Sequence, residues 1–502
     1  MRALGLAALL LIGAVAARAD TPRELYLAGK QAEAAGDYTR ALSLFMDAAE
    51  QGYAPAENSI GWFAEHGQAT RKDPEEAMQH YRRAAEAGDA DAQNNLGLLY
   101  LNGTGTPRNP AEAARWFRAA AQQGFAAAET NLAVLLDSGD GVPQDRAEAL
   151  RLYRLAAVSN PIAMNNLAAL LYKGDGVAED RAEALRLYRR AADAGVAQAE
   201  NALGVMLEEG IATDPDPPEA LRRYIEAAVQ GLAVAQFNAA EMLYRGKGVP
   251  RDDAQAAMWY GRAAAQGDPA GMNGLGNMAF AGRNGPPDME AAVFWYRRAA
   301  EGGLIAGEAN YGTMLLAGRG VARNVTEAVA WLRKAADADN APAMYRLGTA
   351  YEDGVDGPPD YGQAIAWYRR AAEHDEPNAM NSLGDVYRYG IGVEADPAEA
   401  VRWYRSAARH GHAPAQSSLG LMLLFGEGVE VDEAAALQQF SAAAAQGDGI
   451  GLLYAGLMTV QGRGTPPDRA GGIHLLEQAA RAPDAEIRAQ AERWLASFGS
   501  QR

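Results

Sequence analysis

The stretch that decides the fold runs from Asp91 to Gln122 and reads DAQNNLGLLYLNGTGTPRNPAEAARWFRAAAQ. Its first part, DAQNNLGLLYLN, has the composition of a helix, and Gly103 then marks a turn. Asn109 precedes a second helical segment, which ends on the alanine pair Ala120-Ala121. The stretch therefore predicts one helix-turn-helix unit.

This unit recurs along nearly the whole chain of 502 residues. The alanine pairs are spaced by 36 residues, except for one step of 35 between Ala156 and Ala191, where VSNPI forms a shorter turn. A strict period of this length is typical of a solenoid built from stacked supersecondary units. The pairs begin at Ala48, Ala84, Ala120, Ala156, Ala191, Ala227, Ala263, Ala299, Ala335, Ala371, Ala407, Ala443 and Ala479.

Glycine occupies two fixed places in the unit. One lies inside the first helix, as at Gly97, where glycine costs about 1 kcal/mol relative to alanine; we expect close approach of a neighbouring helix there. The other lies at the exit of the first helix and predicts a left-handed C-cap. The exit glycines are Gly67, Gly103, Gly139, Gly174, Gly210, Gly246, Gly282, Gly318, Gly354, Gly390, Gly426 and Gly462.

Asp or Asn precedes every second helix, and in nine units Glu or Gln follows three residues later, as in Asn109 with Glu112. This spacing predicts a capping box, so the acids have a structural explanation before any catalytic one. Tryptophan repeats on the second helix and is followed by an aromatic residue or leucine, which predicts a core stripe rather than a ligand platform. The tryptophans are Trp116, Trp259, Trp295, Trp331, Trp367 and Trp403.

The ends of the chain depart from this pattern. Residues 1–19 combine Arg2, an apolar run and the small-x-small site Ala17-Arg18-Ala19, which together predict a signal peptide. A retained membrane anchor is the alternative, although the apolar run is shorter than the roughly 20 residues that span a bilayer. Residues 20–52 form a shorter helix pair that predicts an N-terminal cap. Residues 53–480 form the repeat array, and residues 481–502 a C-terminal capping helix with Ile487, Ala491, Trp494 and Leu495 on one face.

Charge and cysteine content narrow the functional classes. The formal net charge is −18, and it becomes −20 once Arg2 and Arg18 leave with the signal peptide. A strongly acidic protein is a poor match for nucleic acid or anionic membranes, and it either attracts a basic partner or simply stays soluble. Cysteine is absent from the sequence, so disulfides, thiol nucleophiles and thiolate metal sites are excluded.

The combination A-x-x-x-L-G, G-x-G-V, an Asp cap and A-x-x-W-Y-x-x-A-A resembles the Sel-one-like repeat (SLR) family, whose members are related to tetratricopeptide repeats. The resemblance covers about twelve units, from Tyr53 to Ala480, while Thr21 to Gly52 looks more like a tetratricopeptide unit. It implies an all-α, right-handed superhelical solenoid whose first helices line a concave groove, and a role as an adaptor or scaffold. Family members in bacterial envelopes include periplasmic regulators and scaffolds for polysaccharide export.

Catalytic motifs are not apparent. Some cysteine-rich members of the family have been linked to β-lactam hydrolysis, but Ser-x-x-Lys, Lys-Thr-Gly and Gly-x-Ser-x-Gly are missing here. His374 and His410 share one repeat position, with His412 nearby, so a metal or pH-sensing site is conceivable; exposed turn residues are the simpler interpretation. We therefore predict a protein that is not an enzyme and has no cofactor and no metal site.

Candidate partner-binding residues lie on the first helices. Amide side chains both donate and accept hydrogen bonds, so a row of asparagines suits an extended peptide, unless the asparagines bind neighbouring helices and hold the solenoid together. Positions at which later units depart from asparagine are the stronger candidates. The asparagines are Asn95, Asn131, Asn166, Asn238 and Asn310; the departures are Phe237, Tyr345, Arg346, Leu453 and Tyr454.

Together these features predict an exported, periplasmic or secreted scaffold that binds protein or peptide partners, basic ones among them, in its groove. The first alternative is a scaffold for exopolysaccharide or peptidoglycan machinery, with aromatic residues exposed in the groove. The second is a hydrolase, for which the sequence offers no clustered acid, base and nucleophile.

Overall fold

The structure, a computed structural model, describes residues 21–355 and 357–499. This part of the chain contains 27 α-helices, arranged as consecutive antiparallel pairs. The terminal helices are α1 (Pro22–Ala34), α2 (Tyr38–Glu50) and α27 (Ala485–Gly499). The predicted signal peptide lies outside the described residues.

The first helices of the twelve units carry the odd numbers. They are α3 (Ala54–His66), α5 (Ala90–Asn102), α7 (Ala126–Ser138), α9 (Pro161–Lys173), α11 (Ala197–Glu209), α13 (Ala233–Arg245), α15 (Pro269–Ala281), α17 (Ile305–Ala317), α19 (Ala341–Asp353), α21 (Pro377–Tyr389), α23 (Ala413–Phe425) and α25 (Gly449–Gln461).

The second helices carry the even numbers. They are α4 (Pro74–Glu86), α6 (Pro110–Ala121), α8 (Arg146–Ala156), α10 (Arg181–Asp193), α12 (Pro217–Val229), α14 (Asp253–Ala265), α16 (Met289–Glu301), α18 (Val325–Asp337), α20 (Tyr361–Glu373), α22 (Pro397–Arg409), α24 (Glu433–Ala444) and α26 (Arg469–Ala479). These pairs confirm the all-α repeat fold.

The predicted N-caps are confirmed, but the capping box is wrong. The Asn109 side chain accepts a hydrogen bond from the backbone N–H of Glu112 at 3.1 Å, and the same geometry recurs at the other capped second helices. The backbone N–H of Asn109, however, donates to the Tyr100 carbonyl at 2.7 Å, so the Glu112 side chain does not receive it. The cap residue therefore also joins the second helix to the first.

Both glycine predictions are confirmed. Gly103 caps α5 with φ 73° and ψ 31°, in the left-handed region, whereas Gly354, at ψ 116°, departs from that conformation. Inside the helix, a Cβ at Gly97 would lie 2.6 Å from Cε1 of Phe117 on α6. Glycine thus lets the two helices of a unit pack around a buried ring.

The core lies between the paired helices and consists of small residues and large rings. The ring that follows the tryptophan position is fully buried, as in Phe117, Tyr224 and Tyr404. The tryptophans themselves are only partly covered, except Trp259 and Trp367, which are 4% and 9% exposed. Burial of such a ring contributes roughly 1.5–3 kcal/mol. Ten of the twelve units have their own aromatic anchor, and the buried Leu332 and Leu476 take this place in the other two.

The helix pairs form two compact units, with the boundary between Ala235 and Gln236. The first begins with α1 and α2, where Phe45 is completely buried. The second ends with α27, where Ala491 is buried and Ile487 and Leu495 pack on the core. Trp494, predicted for the same face, is 38% exposed.

None of the described helices is long and apolar enough to cross a membrane.

Candidate partner-binding face

The inner face is defined here as the exposed side of the first helices within one compact unit. Successive first helices contact each other, as α3 does with α5 and α17 does with α19, and they do so more closely than successive second helices. The first helices therefore form the more closely packed side of the stack, and the family resemblance implies that this side lines the groove.

Asparagine side chains link consecutive first helices across this face. Nδ2 of Asn95 donates to Oδ1 of Asn58 at 3.0 Å, and Asn131 donates to Asn94 at 2.9 Å. Asn310 donates to Asn273 at 2.9 Å in the second compact unit. The three donors are half-buried, so this row has a structural function, and its use in partner binding stays a prediction.

The row is interrupted at Asn166. Thr130 stands where the preceding unit would supply an asparagine, and Asn166 instead accepts a hydrogen bond from Asn165 at 3.1 Å. Asn166, Tyr153 and Lys173 line a cavity of about 350 Å³ at this point. Asn238 also interacts with a neighbouring group.

The positions that depart from asparagine differ in accessibility. Arg346 is exposed, with its guanidinium 5.4 Å from the ring centre of Tyr345. Tyr345 is half-buried, with its ring 5.8 Å from Tyr368. Leu453 is only 2% exposed and belongs to the core. Arg346 and Tyr345 are therefore accessible from this face, whereas Leu453 is not.

The two remaining aromatic candidates pack against aromatic rings of the core. The Phe237 ring lies 6.0 Å from Tyr260, and the Tyr454 ring stacks on Phe440 at 5.1 Å. Both side chains are half-buried. One face of each ring thus belongs to the core, and the exposed remainder belongs to the inner face.

Sequence reasoning missed a series of tyrosine–carboxylate pairs on this face. Five buried second-helix tyrosines each donate a hydrogen bond to a half-buried acid on the first helix, which lies 16 or 19 residues earlier in the sequence. That spacing is present in the sequence and could have revealed the pairs. The pairs are Tyr81 with Glu65 (2.8 Å), Tyr224 with Glu208 (2.9 Å), Tyr260 with Glu241 (2.7 Å), Tyr368 with Glu352 (2.5 Å) and Tyr404 with Asp385 (2.6 Å).

These pairs place carboxyl groups on the inner face, and one of them, Glu241, also forms an ion pair with Arg245. Burial, together with the neighbouring carboxylate, raises the pKa of Tyr81 and Tyr368 far above the ordinary tyrosine value, so each hydroxyl remains a neutral donor. A neutral donor does not cancel the charge of the acid that accepts from it. Asp385 differs from the other acids because burial also raises its own pKa above the ordinary aspartate value.

The histidines singled out by the sequence lie in separate pairs. Nε2 of His374 is 3.7 Å from Oδ1 of Asp339, and Nε2 of His410 is 3.5 Å from Oδ1 of Asp375. His412 caps α23 by accepting from the Ala415 N–H at 3.2 Å. Within residues 21–355 and 357–499, no group of three or more metal-binding side chains is assembled.

Comparison with known families identifies the repeat. A sequence model described as the Sel1 repeat matches twelve consecutive segments that cover most of the chain. They are residues 54–89, 90–125, 126–157, 161–196, 197–232, 233–268, 269–304, 305–340, 341–376, 377–412, 413–448 and 451–484. No curated protein matches the sequence.

One solved structure with an SLR fold shows the same architecture. A protective antigen present in uropathogenic Escherichia coli strains, described as having an SLR fold, is 31% identical with a TM-score of 0.70, and the alignment covers 91% of this chain and 94% of that one. A Sel1 repeat protein from Oxalobacter formigenes is 34% identical with a TM-score of 0.45, covering 48% of this chain and 99% of that one.

Proposed function

Because the chain belongs to the Sel1 repeat family, a class of solenoids suited to protein interaction, we propose that it binds a protein partner on the inner face as a scaffold or regulator. The face has the elements of a binding surface, since a row of rigid helices carries polar groups at regular intervals. Catalysis of its own forms no part of this proposal.

The observation that carries the proposal is the series of tyrosine–carboxylate pairs. The acid in each of these five units is held in place by a buried tyrosine of the same unit. Pre-ordered charges lose little entropy when a partner binds, and complementary charge accelerates and orients association. We therefore propose a basic segment as the partner, with Tyr345 and Arg346 as local specificity elements.

Neutralising the acids tests this proposal. Glu65→Gln with Glu352→Gln keeps the tyrosine hydrogen bonds in reach while removing two charges, and we expect weaker retention of partners crosslinked in the native envelope, with a smaller salt dependence. Glu75→Gln with Glu290→Gln is the matched control, because both acids are exposed on second helices. Equal retention by both double variants would refute an inner-face interaction.

A second experiment tests the variable positions. Tyr345→Ala with Arg346→Ala removes a half-buried ring and the exposed guanidinium above it. We expect at least one captured partner to be lost while the circular dichroism spectrum is unchanged. Retention of every partner would remove these two residues from the proposed site.

We further propose that the protein is exported to the periplasm or beyond. Support comes from the signal-like residues 1–19 and from the similar Escherichia coli protein, which is described as a protective antigen. Fractionation with N-terminal mass spectrometry tests this, and the expected product begins at Asp20. A cytoplasmic product that retains Met1 would contradict export.

Glycan binding is the second candidate function, because aromatic side chains are exposed at the ends of first helices. Tyr389 and Phe425, the last residues of α21 and α23, are 64% and 57% exposed. Trp62, inside α3, is 37% exposed and stacks on His66. Such rings can stack on sugars. Binding of purified peptidoglycan or exopolysaccharide that disappears in Tyr389→Ala with Phe425→Ala would favour this function over the protein partner.

A further inference from the structure

The fourth residue of the first helix is a buried polar side chain in many units. It is Gln93, Glu129, Glu200, Gln236, Glu308 or Gln416, each no more than 7% exposed, and in the first unit it is Glu57. An uncompensated buried carboxylate is costly, since burial removes its hydration. Each of these side chains therefore needs a hydrogen-bond donor.

Two kinds of donor serve this position elsewhere in the chain. A glutamine 30 residues later, in the turn after the second helix, supplies one: Gln230 donates to Glu200 at 2.8 Å. A basic residue 26 residues later, on the second helix, supplies the other: Nε of Arg83 donates to Glu57 at 3.0 Å, and Lys334 pairs with Glu308.

Glu129 has neither donor. The residue 26 positions later is Leu155, and the shortened turn at Val158-Ser159 has lost the glutamine. Asn160, which ends this turn, directs its amide to Thr130 at 3.2 Å. Glu129 is 7% exposed, and no donor from the described residues lies within hydrogen-bond distance of its carboxylate.

This carboxylate faces a cavity of about 410 Å³ between α6, α7 and α8. The size falls within the roughly 300–1,000 Å³ of ordinary ligand pockets. Four leucines contribute aliphatic lining, and one of them, Leu155, is 48% exposed. The other three are Leu132, Leu136 and Leu152. A carboxylate without a donor beside aliphatic side chains suits an aliphatic cation.

The charged groups around the cavity leave Glu129 without a hydrogen-bond donor. Arg151 directs its Nε and Nη2 to Glu148 at 2.8 and 2.7 Å, and Asp145 caps α8 by accepting from the Glu148 N–H at 2.9 Å. Arg118 lines the opposite side, on α6. The cavity is thus lined by three acids (Glu129, Asp145 and Glu148) and two arginines (Arg118 and Arg151). Burial raises the pKa of Glu129, and Arg151 opposes that shift only by its proximity.

We propose that this cavity binds a lysine side chain of the partner polypeptide, with its ammonium on Glu129 and its methylenes against the leucine side chains. The chain itself supplies the precedent in Lys334, which fills the equivalent place beside Glu308. The proposal rests on the proposed function only in taking a protein as the source of the lysine.

A small probe tests the cavity without the partner. Saturation-transfer NMR with Nα-acetyl-lysine N-methylamide should show binding, while the norleucine analogue, which lacks the ammonium, should bind at least tenfold more weakly. If n-butylammonium bound and the lysine probe did not, the lysine assignment would be overturned in favour of a free amine. Absence of binding by the lysine probe would refute the site.

Three variants locate the binding. Glu129→Gln should weaken the lysine probe at least tenfold. Leu155→Lys, which recreates the Lys334 arrangement, should abolish probe binding and raise the melting temperature, and this stabilisation also shows that the variant folds. Glu200→Gln is the matched control and should bind as the wild type does, because Glu200 already has Gln230 as donor. Unchanged binding in Glu129→Gln would refute the proposal.

The pH dependence provides an independent readout. The raised pKa of Glu129 means that its contribution to stability is fully present below the ordinary value of 4.5 and is lost as pH rises through the folded-state pKa. Glu129→Gln should flatten this decline, and probe binding in the wild type should increase over the same interval. A decline of equal size in Glu129→Gln would contradict the assignment. Failure here leaves the inner-face experiments unaffected, so the two proposals can fail separately.

Discussion

Replacing Gly97 with valine tests whether close packing, rather than turn formation, requires the helical glycine. A Cβ alone would lie 2.6 Å from Cε1 and 2.7 Å from Cδ1 of Phe117, a ring with no exposed surface. In the twelve units this position is always glycine or alanine, with alanine at Ala133, Ala168 and Ala240. One methyl group is therefore the largest side chain that any unit carries there.

The magnitude follows from two opposing terms. Valine is a better helix former than glycine by a few tenths of a kcal/mol. Overpacking a closed core costs about 1–3 kcal/mol, and Phe117 cannot move towards solvent because it is fully buried. We therefore expect Gly97→Val to lower the free energy of unfolding by about 1–3 kcal/mol.

Gly261→Val is the matched control. Gly261 also lies inside a helix, but a Cβ there would meet no atom within 4 Å, so this variant should unfold within about 0.5 kcal/mol of the wild type. Urea unfolding monitored by circular dichroism measures both variants. If Gly97→Val and Gly261→Val unfold at the same urea concentration, the packing explanation is refuted.

Two further predictions concern the caps and the asparagine row. Asn109→Ala should lower the free energy of unfolding by about 1 kcal/mol through loss of the N-cap. Glu112→Ala should change it by less than about 0.5 kcal/mol, because Glu112 does not complete a capping box. Equal effects of the two variants in urea titrations would contradict this. A double-mutant cycle of Asn58→Ala and Asn95→Ala should give a coupling energy of about 0.5–1.5 kcal/mol from their hydrogen bond. The effects of Asn58→Ala and Asn131→Ala should be additive. If Asn58→Ala and Asn95→Ala showed no coupling, the asparagine row would not stabilise the stack.

The sequence by itself determined the repeat architecture. Gly103, the cap Asn109 and the buried Phe117 act over short distances, within one helix or one helix pair. Because a local conformational preference is written in a few adjacent residues, their spacing was sufficient to place the helices and turns.

Only the tertiary structure decided which polar side chains are paired. The backbone N–H of Asn109 was expected to bind Glu112 but donates to Tyr100, and Glu129 differs from Glu200 only in the donors that the next helix and turn bring to it. Likewise, Leu453 and Tyr345 occupy the same repeat position but differ in burial because their neighbours differ. Hydrogen bonding and burial depend on groups that are distant in sequence, so the candidate sites emerged only once the helices were stacked.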